Sequence, residues 1–187
     1  MKYTEIETKY RADEMSLVGF HTFCKERTPE HYLYSSGYDH FYHSTKDANS
    51  FCRHRNGTDL NELTFKRKTS DANSFIRTEH NIDLAKHMSQ DQIQALCGEF
   101  GYEYNTSIFK TCFVYRFDWY VLSYYICYDK EMKESGRFFE IEAREDYKWS
   151  SETEAWDQIK VMERFCKALG ITPQNRMKTS LFELYRK

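Results

Sequence analysis

The sequence predicts a single α+β domain: a closed antiparallel barrel of eight strands, with a charged interior and helices packed outside. Three observations predict it. Eight runs rich in Phe, Tyr, Val, Ile and Thr are separated by turn-like links. Four segments carry apolar residues at helical spacing, and charged residues recur at every second position along several of the strand-like runs. The 187 residues hold 27 Lys plus Arg against 29 Asp plus Glu, and 17% of them are aromatic. So many rings exclude a disordered, solvating chain, and the charge balance argues against a protein that coats nucleic acid. Only 7 Gly and 2 Pro exclude a collagen-like or linker-like composition. With no linker, repeat or low-complexity stretch, residues 1–187 are expected to form one domain.

The strand-like runs are 2–11, 38–44, 50–56, 62–69, 75–84, 108–118, 121–129 and 137–145. A first helix is expected over 13–27, with Met15, Val18 and Phe23 near one face, ahead of Pro29. A second, over 90–100, follows a capping box of Ser89 and Gln92 and carries Ile93, Leu96 and Phe100 as its apolar stripe. Ser151 and Glu154 repeat that signature before Trp156, Ile159, Met162, Cys166 and Leu169, and Gly170 then stops the helix ahead of Pro173. A short last helix starts near Leu181, while 69–73 and 130–136 read as hairpin loops.

No apolar run approaches the ~20 residues of a spanning helix, so no membrane partner is expected. The opening MKYTEIETKYR is charged throughout and has no signal-peptide hydrophobic region. The six cysteines show no C-x-x-C pair, which favours buried, reduced thiols in a cytoplasmic chain over a zinc site.

Strand parity sorts the charges. Glu5, Glu7, Lys9 and Arg11 share one face of the first strand, opposite Ile6, Thr8 and Tyr10. Arg77, Glu79, Asn81 and Asp83 share a face, as do Glu140, Glu142 and Arg144; Arg53 and Arg55 are two apart, and so are Lys66 and Lys68. For one strand, a wet face with ion pairs of ~0.2–1 kcal/mol each is a sufficient account. It weakens for all of them together, because a wet face accepts Ser, Thr and Gln as freely as full charges. Helices outside a barrel bury the Ile/Phe faces and leave the charges inside. Such charges are costly unless they meet water, a metal or a polyanion. Carboxylates there suit a divalent cation, and the Lys/Arg set suits phosphate oxygens.

The motifs then resemble a family. Glu5-Ile6-Glu7-Thr8-Lys9 looks like the E-x-E-x-K opening of the CYTH family, the triphosphate tunnel metalloenzymes. In the family's order follow Asp39-His40-Phe41-Tyr42 for D-x-Y-F, Arg53-His54-Arg55 for R-x-R and Leu63-Thr64-Phe65-Lys66 for L-T-x-K. Arg77-Thr78-Glu79 resembles the R-x-E strand, Gly136 to Glu142 resembles G-x-F-x-E-I-E, and Arg176 to Ser180 resembles the closing lysine segment. The likeness spans residues 3 to about 185.

The resemblance implies a role for each matched residue. Glu5, Glu7, Asp129, Glu140 and Glu142 would ligate Mg²⁺ or Mn²⁺. Lys9, Arg53, Arg55, Lys66, Arg77, Lys110 and Lys178 would grip a triphosphate, with Glu5, Glu7 and Lys9 at the catalytic centre. The chain departs from the family where Lys110-Thr111-Cys112 replaces K-x-R. Arg116 lies on the same face as Lys110, roughly 20 Å further along the strand, and would serve another part of the tunnel. His40 and Tyr42 also replace small or acidic residues. The implied activity is hydrolysis of a small-molecule triphosphate: tripolyphosphate, thiamine triphosphate or a nucleoside triphosphate. The alternatives are ATP cyclisation, as in class IV adenylyl cyclases, and non-catalytic binding of polyphosphate or of a 5′-triphosphate RNA end. Both monomer and homodimer stay open.

Overall fold

The computed structural model describes residues 2–58, 60–68, 76–144, 146–147 and 150–186. Within these, the elements run β1 (Lys2–Arg11), α1 (Leu17–Lys25), β2 (His31–Ser44), β3 (Ser50–Gly57), β4 (Asn61–Lys68) and β5 (Ile76–Asp83). There follow α2 (Gln90–Glu99), β6 (Tyr102–Arg116), β7 (Tyr120–Tyr128), β8 (Glu134–Ala143), α3 (Glu152–Cys166) and α4 (Leu181–Tyr185). The expected 69–73 loop lies outside the described residues.

All pairings are antiparallel, in the order β1-β5-β4-β3-β2-β6-β7-β8, and β1 also meets β8. β1 divides itself between two neighbours: its residues 2–6 pair with β5 and its residues 7–11 with β8. No described residue of β1 is laddered on both sides. The eight strands thus curl into a barrel in which β1 joins both edges of the sheet, its first half on β5 and its second half on β8. Twist and tilt rotate successive strands, so β1 passes obliquely from one neighbour to the other.

Two strands are longer than expected. β2 begins at His31 instead of 38 and β6 at Tyr102 instead of 108, because the two pair from His31↔Arg116 to Ser44↔Tyr102. These added stretches become strand by giving each other hydrogen bonds. Gly37 is where this arrangement needs glycine: a β-carbon there would lie 2.2 Å from the Asn56 carbonyl oxygen.

The helices also adjust. Ser16 caps α1 by accepting from Gly19 N at 3.0 Å, so the expected 13–27 helix starts only at Leu17. Met15 is buried ahead of it, whereas Val18, expected on the apolar face, is 75% exposed. Phe100 is likewise exposed, just past the end of α2. The Ser89–Gln92 capping box forms in both directions. At α3 only half of it forms: Ser151 accepts from Glu154 N, but the Glu154 carboxylate turns to the Ser150 N–H and hydroxyl. Gly170, at φ +79°, ends this helical run as expected.

Three apolar clusters hold the architecture. α1 and α3 cover the outer faces of β1, β7 and β8, where Tyr10, Tyr124, Phe139 and Ile141 meet Phe20, Ile159 and Met162. α2 covers Tyr42, Cys52 and Leu63 with Ile93 and Cys97. Burying each large side chain contributes about 1.5–3 kcal/mol, so the helices are held by burial. The third cluster joins Phe41, Phe51, Cys112 and Phe138 to Met177, Leu181 and Phe182 from the C-terminal segment. No described helix is long and apolar enough to cross a membrane, and all six cysteines are free and buried.

Candidate functional site

A cavity of about 320 Å³ lies inside the curl, lined from all eight strands and from α4. Parity builds it. In β1 the residues that reach it are Glu7 and Lys9, two apart; in β3, Arg53 and Arg55; in β5, Glu79 and Asn81; in β8, Glu140 and Glu142. Their odd-one-out neighbours Thr8, His54 and Ile141 are fully buried and belong to the outer layer. Phe182 stacks on Phe51 at 5.1 Å and closes one end.

Among the described residues the lining holds five cations, Lys9, Arg53, Arg55, Lys66 and Lys110. It holds six carboxylates, Glu7, Asp39, Glu62, Glu79, Glu140 and Glu142. They neutralise one another in pairs. Asp39, 1% exposed, accepts two bonds from Arg55 at 2.8 and 3.2 Å and meets Lys110 Nζ at 2.6 Å. Lys9 Nζ lies 2.7 Å from Glu140 and 3.4 Å from Glu7. Arg53 reaches Glu62 at 3.5 Å and the Thr64 hydroxyl at 3.1 Å, and Lys66 pairs with Glu79. Tyr125 donates to Glu140 at 2.8 Å.

These pairs set the ionisation. Burial pushes the Asp39 carboxyl up, but the charges of Arg55, Lys110 and Arg53 outweigh it and hold the group well below the usual carboxylate range. Burial likewise opposes ionisation of Glu140, and Lys9 overcomes it, bringing the carboxyl down to about 2. Both groups have folded pKa values below their unfolded ones. The stability they add is therefore complete above the unfolded carboxylate range and is lost as pH falls through the folded values. The thermal midpoint should be flat above about pH 5 and fall steadily from about pH 4.5 to 2. Calorimetric melting across that range reads it directly; a midpoint that stays flat down to about pH 2 contradicts the assignment.

The structure thus brings together Glu7, Lys9, Arg53, Arg55, Lys66, Lys110, Glu140 and Glu142. It does not bring in three other expected residues. Asp129 is exposed in the β7–β8 turn, where its Oδ1 accepts from Glu131 N and Lys133 N. Arg116, past the cavity's end, pairs with Asp146, and Lys178 is exposed before α4. A turn needs a short side-chain acceptor of its own, which is why Asp129 is spent locally. The side chains of Glu5 and Arg77 lie outside the described residues, although their backbones are register partners. Sequence reasoning gave no role to Asp39, Glu62 or Glu79; the parity of Glu79 with Arg77 and of Glu62 with Lys66 was the available signal.

Would this lining suit a divalent cation? Glu7 and Glu142 are direct cross-strand partners, and like charges so placed repel unless a cation lies between them. Among the described residues no cluster of three His, Cys, Asp or Glu side chains is preformed for a metal. Two facing carboxylates are what Mg²⁺ commonly takes from a protein, together with substrate phosphates. Among the described residues the lining holds six carboxylates and five cations.

Solved structures share the fold. A conserved hypothetical protein from Pyrococcus furiosus superposes with a TM-score of 0.73 at 19% identity, over 96% of this chain and 99% of its own. A candidate adenylate cyclase from Vibrio parahaemolyticus gives 0.68 at 14% identity, over 97% of each chain. A second candidate adenylate cyclase, from Bacillus halodurans, gives 0.62 at 14% identity, over 98% of each. The likeness establishes the fold. No protein-family model and no curated protein matches the sequence. At these identities the lining residues of this chain must carry any functional argument.

Proposed function

We propose that the protein is a divalent-metal-dependent triphosphatase acting in the cytoplasm. Its substrate would be a small-molecule triphosphate such as tripolyphosphate, thiamine triphosphate or a nucleoside triphosphate. The observation that carries this is the lumen itself: among the described residues, five cations and six carboxylates converge on one cavity from seven of the eight strands. The motif order that resembles the triphosphate tunnel metalloenzymes supports it.

In this reading Lys9, Arg53, Arg55, Lys66 and Lys110 exchange their carboxylate partners for phosphate oxygens and hold the chain in line. Arg77 would join them. Glu7 and Glu142, with Glu5 and Glu140, would hold Mg²⁺ or Mn²⁺ against the same oxygens. Such an ion neutralises charge that develops on the phosphoryl oxygens and the leaving group. Glu7 orients the attacking water and accepts its proton as the new P–O bond forms and the anhydride P–O bond breaks. Little covalent work falls to the protein, so positioning and electrostatics dominate.

ATP cyclisation is the second reading, favoured by the descriptions of the Vibrio and Bacillus fold neighbours. A pure polyphosphate or RNA-end binder needs only the basic row, and gives the facing Glu7 and Glu142 no part in binding. The test is a panel of tripolyphosphate, thiamine triphosphate, ATP and GTP with Mg²⁺ or Mn²⁺, scored for phosphate and for cyclic AMP. Phosphate release that stops with chelator is expected. Cyclic AMP and pyrophosphate from ATP would favour cyclisation, and binding without turnover would favour the binder.

A further inference from the structure

We propose that a second pocket, on the outside of the barrel, binds a phosphate-class anion. It lies between α3 and the segment 171–176 and has a volume of about 320 Å³, matching the lumen cavity. Its wall carries four cations, Lys160, Arg164, Lys167 and Arg176, and one carboxylate, Glu163. In a chain of formal charge −2 that excess is a local feature.

Basic residues near the carbonyl end of a helix are favourable in themselves, which accounts for part of the cluster. It does not account for Arg176, which comes from a separate segment, or for the cavity between them. Lys160, Arg164 and Lys167 follow helical spacing and form one stripe. Lys160 is engaged by Asp157 at 3.0 Å, and Arg176 by Glu163 at 3.7 Å. Arg164 and Lys167 have no ion-pair partner among the described residues. Glu163 is also taken up by the hydroxyl of Tyr10, whose buried ring helps to line the pocket. A tetrahedral anion with several charged oxygens satisfies Arg164 and Lys167 at once and draws Arg176 from Glu163. Orthophosphate and its condensed forms have that chemistry, as does a phosphate ester. No metal is required, because the pocket's own charge is positive.

The pocket backs onto the strand that serves the lumen. Arg176 bridges Tyr10, and Met177 N donates to the Lys9 carbonyl at 2.8 Å. Tyr10 reaches this pocket while Lys9, its neighbour, reaches the lumen. Further along the same segment Leu181 and Phe182 line the lumen.

Calorimetric titration of the full chain in EDTA at low salt tests the proposal, with tripolyphosphate, orthophosphate and AMP as separate arms. Wild type should bind one tripolyphosphate per chain, Arg164→Glu/Lys167→Glu none, and Arg164→Gln/Lys167→Gln at least about tenfold more weakly. Arg164 and Lys167 are both exposed, and circular dichroism checks that the variants fold. Stronger binding of AMP than of orthophosphate would mark a phosphate ester as the occupant, and the reverse order a free inorganic anion. No binding by wild type in chelator, or unchanged affinity in both variants, overturns the proposal. Adding Mg²⁺ should raise the wild-type stoichiometry to two; its staying at one counts against the lumen reading and leaves the pocket result standing.

Discussion

Replacing Glu142 or Glu7 with Gln should lower metal-dependent phosphate release by at least about a hundredfold while leaving the fold intact. The two carboxylates face each other across the β1–β8 ladder and both reach the lumen. Neutralising either relieves a like-charge repulsion in the resting protein, so stability should hold or rise slightly. In the working protein the same change removes one of the anions that bind the divalent ion and, at Glu7, the proton acceptor. Lys9 keeps its closer partner Glu140, at 2.7 Å, when Glu7 is neutralised, so no buried ammonium is stranded. Initial rates at saturating Mn²⁺, beside melting curves, separate the two effects. Full activity in both variants would remove these residues from the mechanism, and unfolding would show that the pair is structural.

Asp39→Ala should cost about 3–5 kcal/mol of stability, the largest effect expected from a single lumen substitution. Asp39 is buried and bonded twice by Arg55, with Lys110 at 2.6 Å. Its loss leaves two cations without their counter-ion, and such an unpaired buried charge costs far more than a surface pair contributes. Urea denaturation measures it. The destabilised variant should then recover in part with tripolyphosphate and Mg²⁺, because phosphate oxygens replace the missing carboxylate. A loss below about 1 kcal/mol would show that Asp39 acts as an exposed pair would.

Particular residues show what could be read without coordinates. The alternation of Glu140 and Glu142 with Phe139 and Ile141 announced both faces of β8, because a buried outer layer demands apolar residues at every second position. Lys9, Arg53, Arg55 and Lys66 followed from the same period and Lys110 from the family resemblance, and they meet in one cavity. Ser89 and Gln92 marked the start of α2 because a helix end must satisfy its free N–H groups locally. The early halves of β2 and β6 could not be read, since their strand character comes from pairing with each other. Nor could the division of β1 between β5 and β8, which depends on strand tilt across the whole sheet. Asp129 illustrates the opposite failure: an acidic residue beside a matching motif was assigned to the lumen, but a turn had a nearer use for it. Asp39 was overlooked because an acid among phosphate-binding cations makes sense only once their separations are known.

A triphosphate and its divalent ion should occupy the lumen together. Anomalous diffraction from crystals of the Glu142→Gln protein is too indirect, because that variant removes a proposed ligand. The wild-type protein, crystallised with Mn²⁺ and a slowly hydrolysed tripolyphosphate analogue, gives the direct measurement. Manganese should appear between Glu7 and Glu142, with phosphate oxygens on Lys9, Arg53, Arg55, Lys66 and Lys110. An empty lumen with manganese elsewhere, or the analogue seated only against α3, would contradict it.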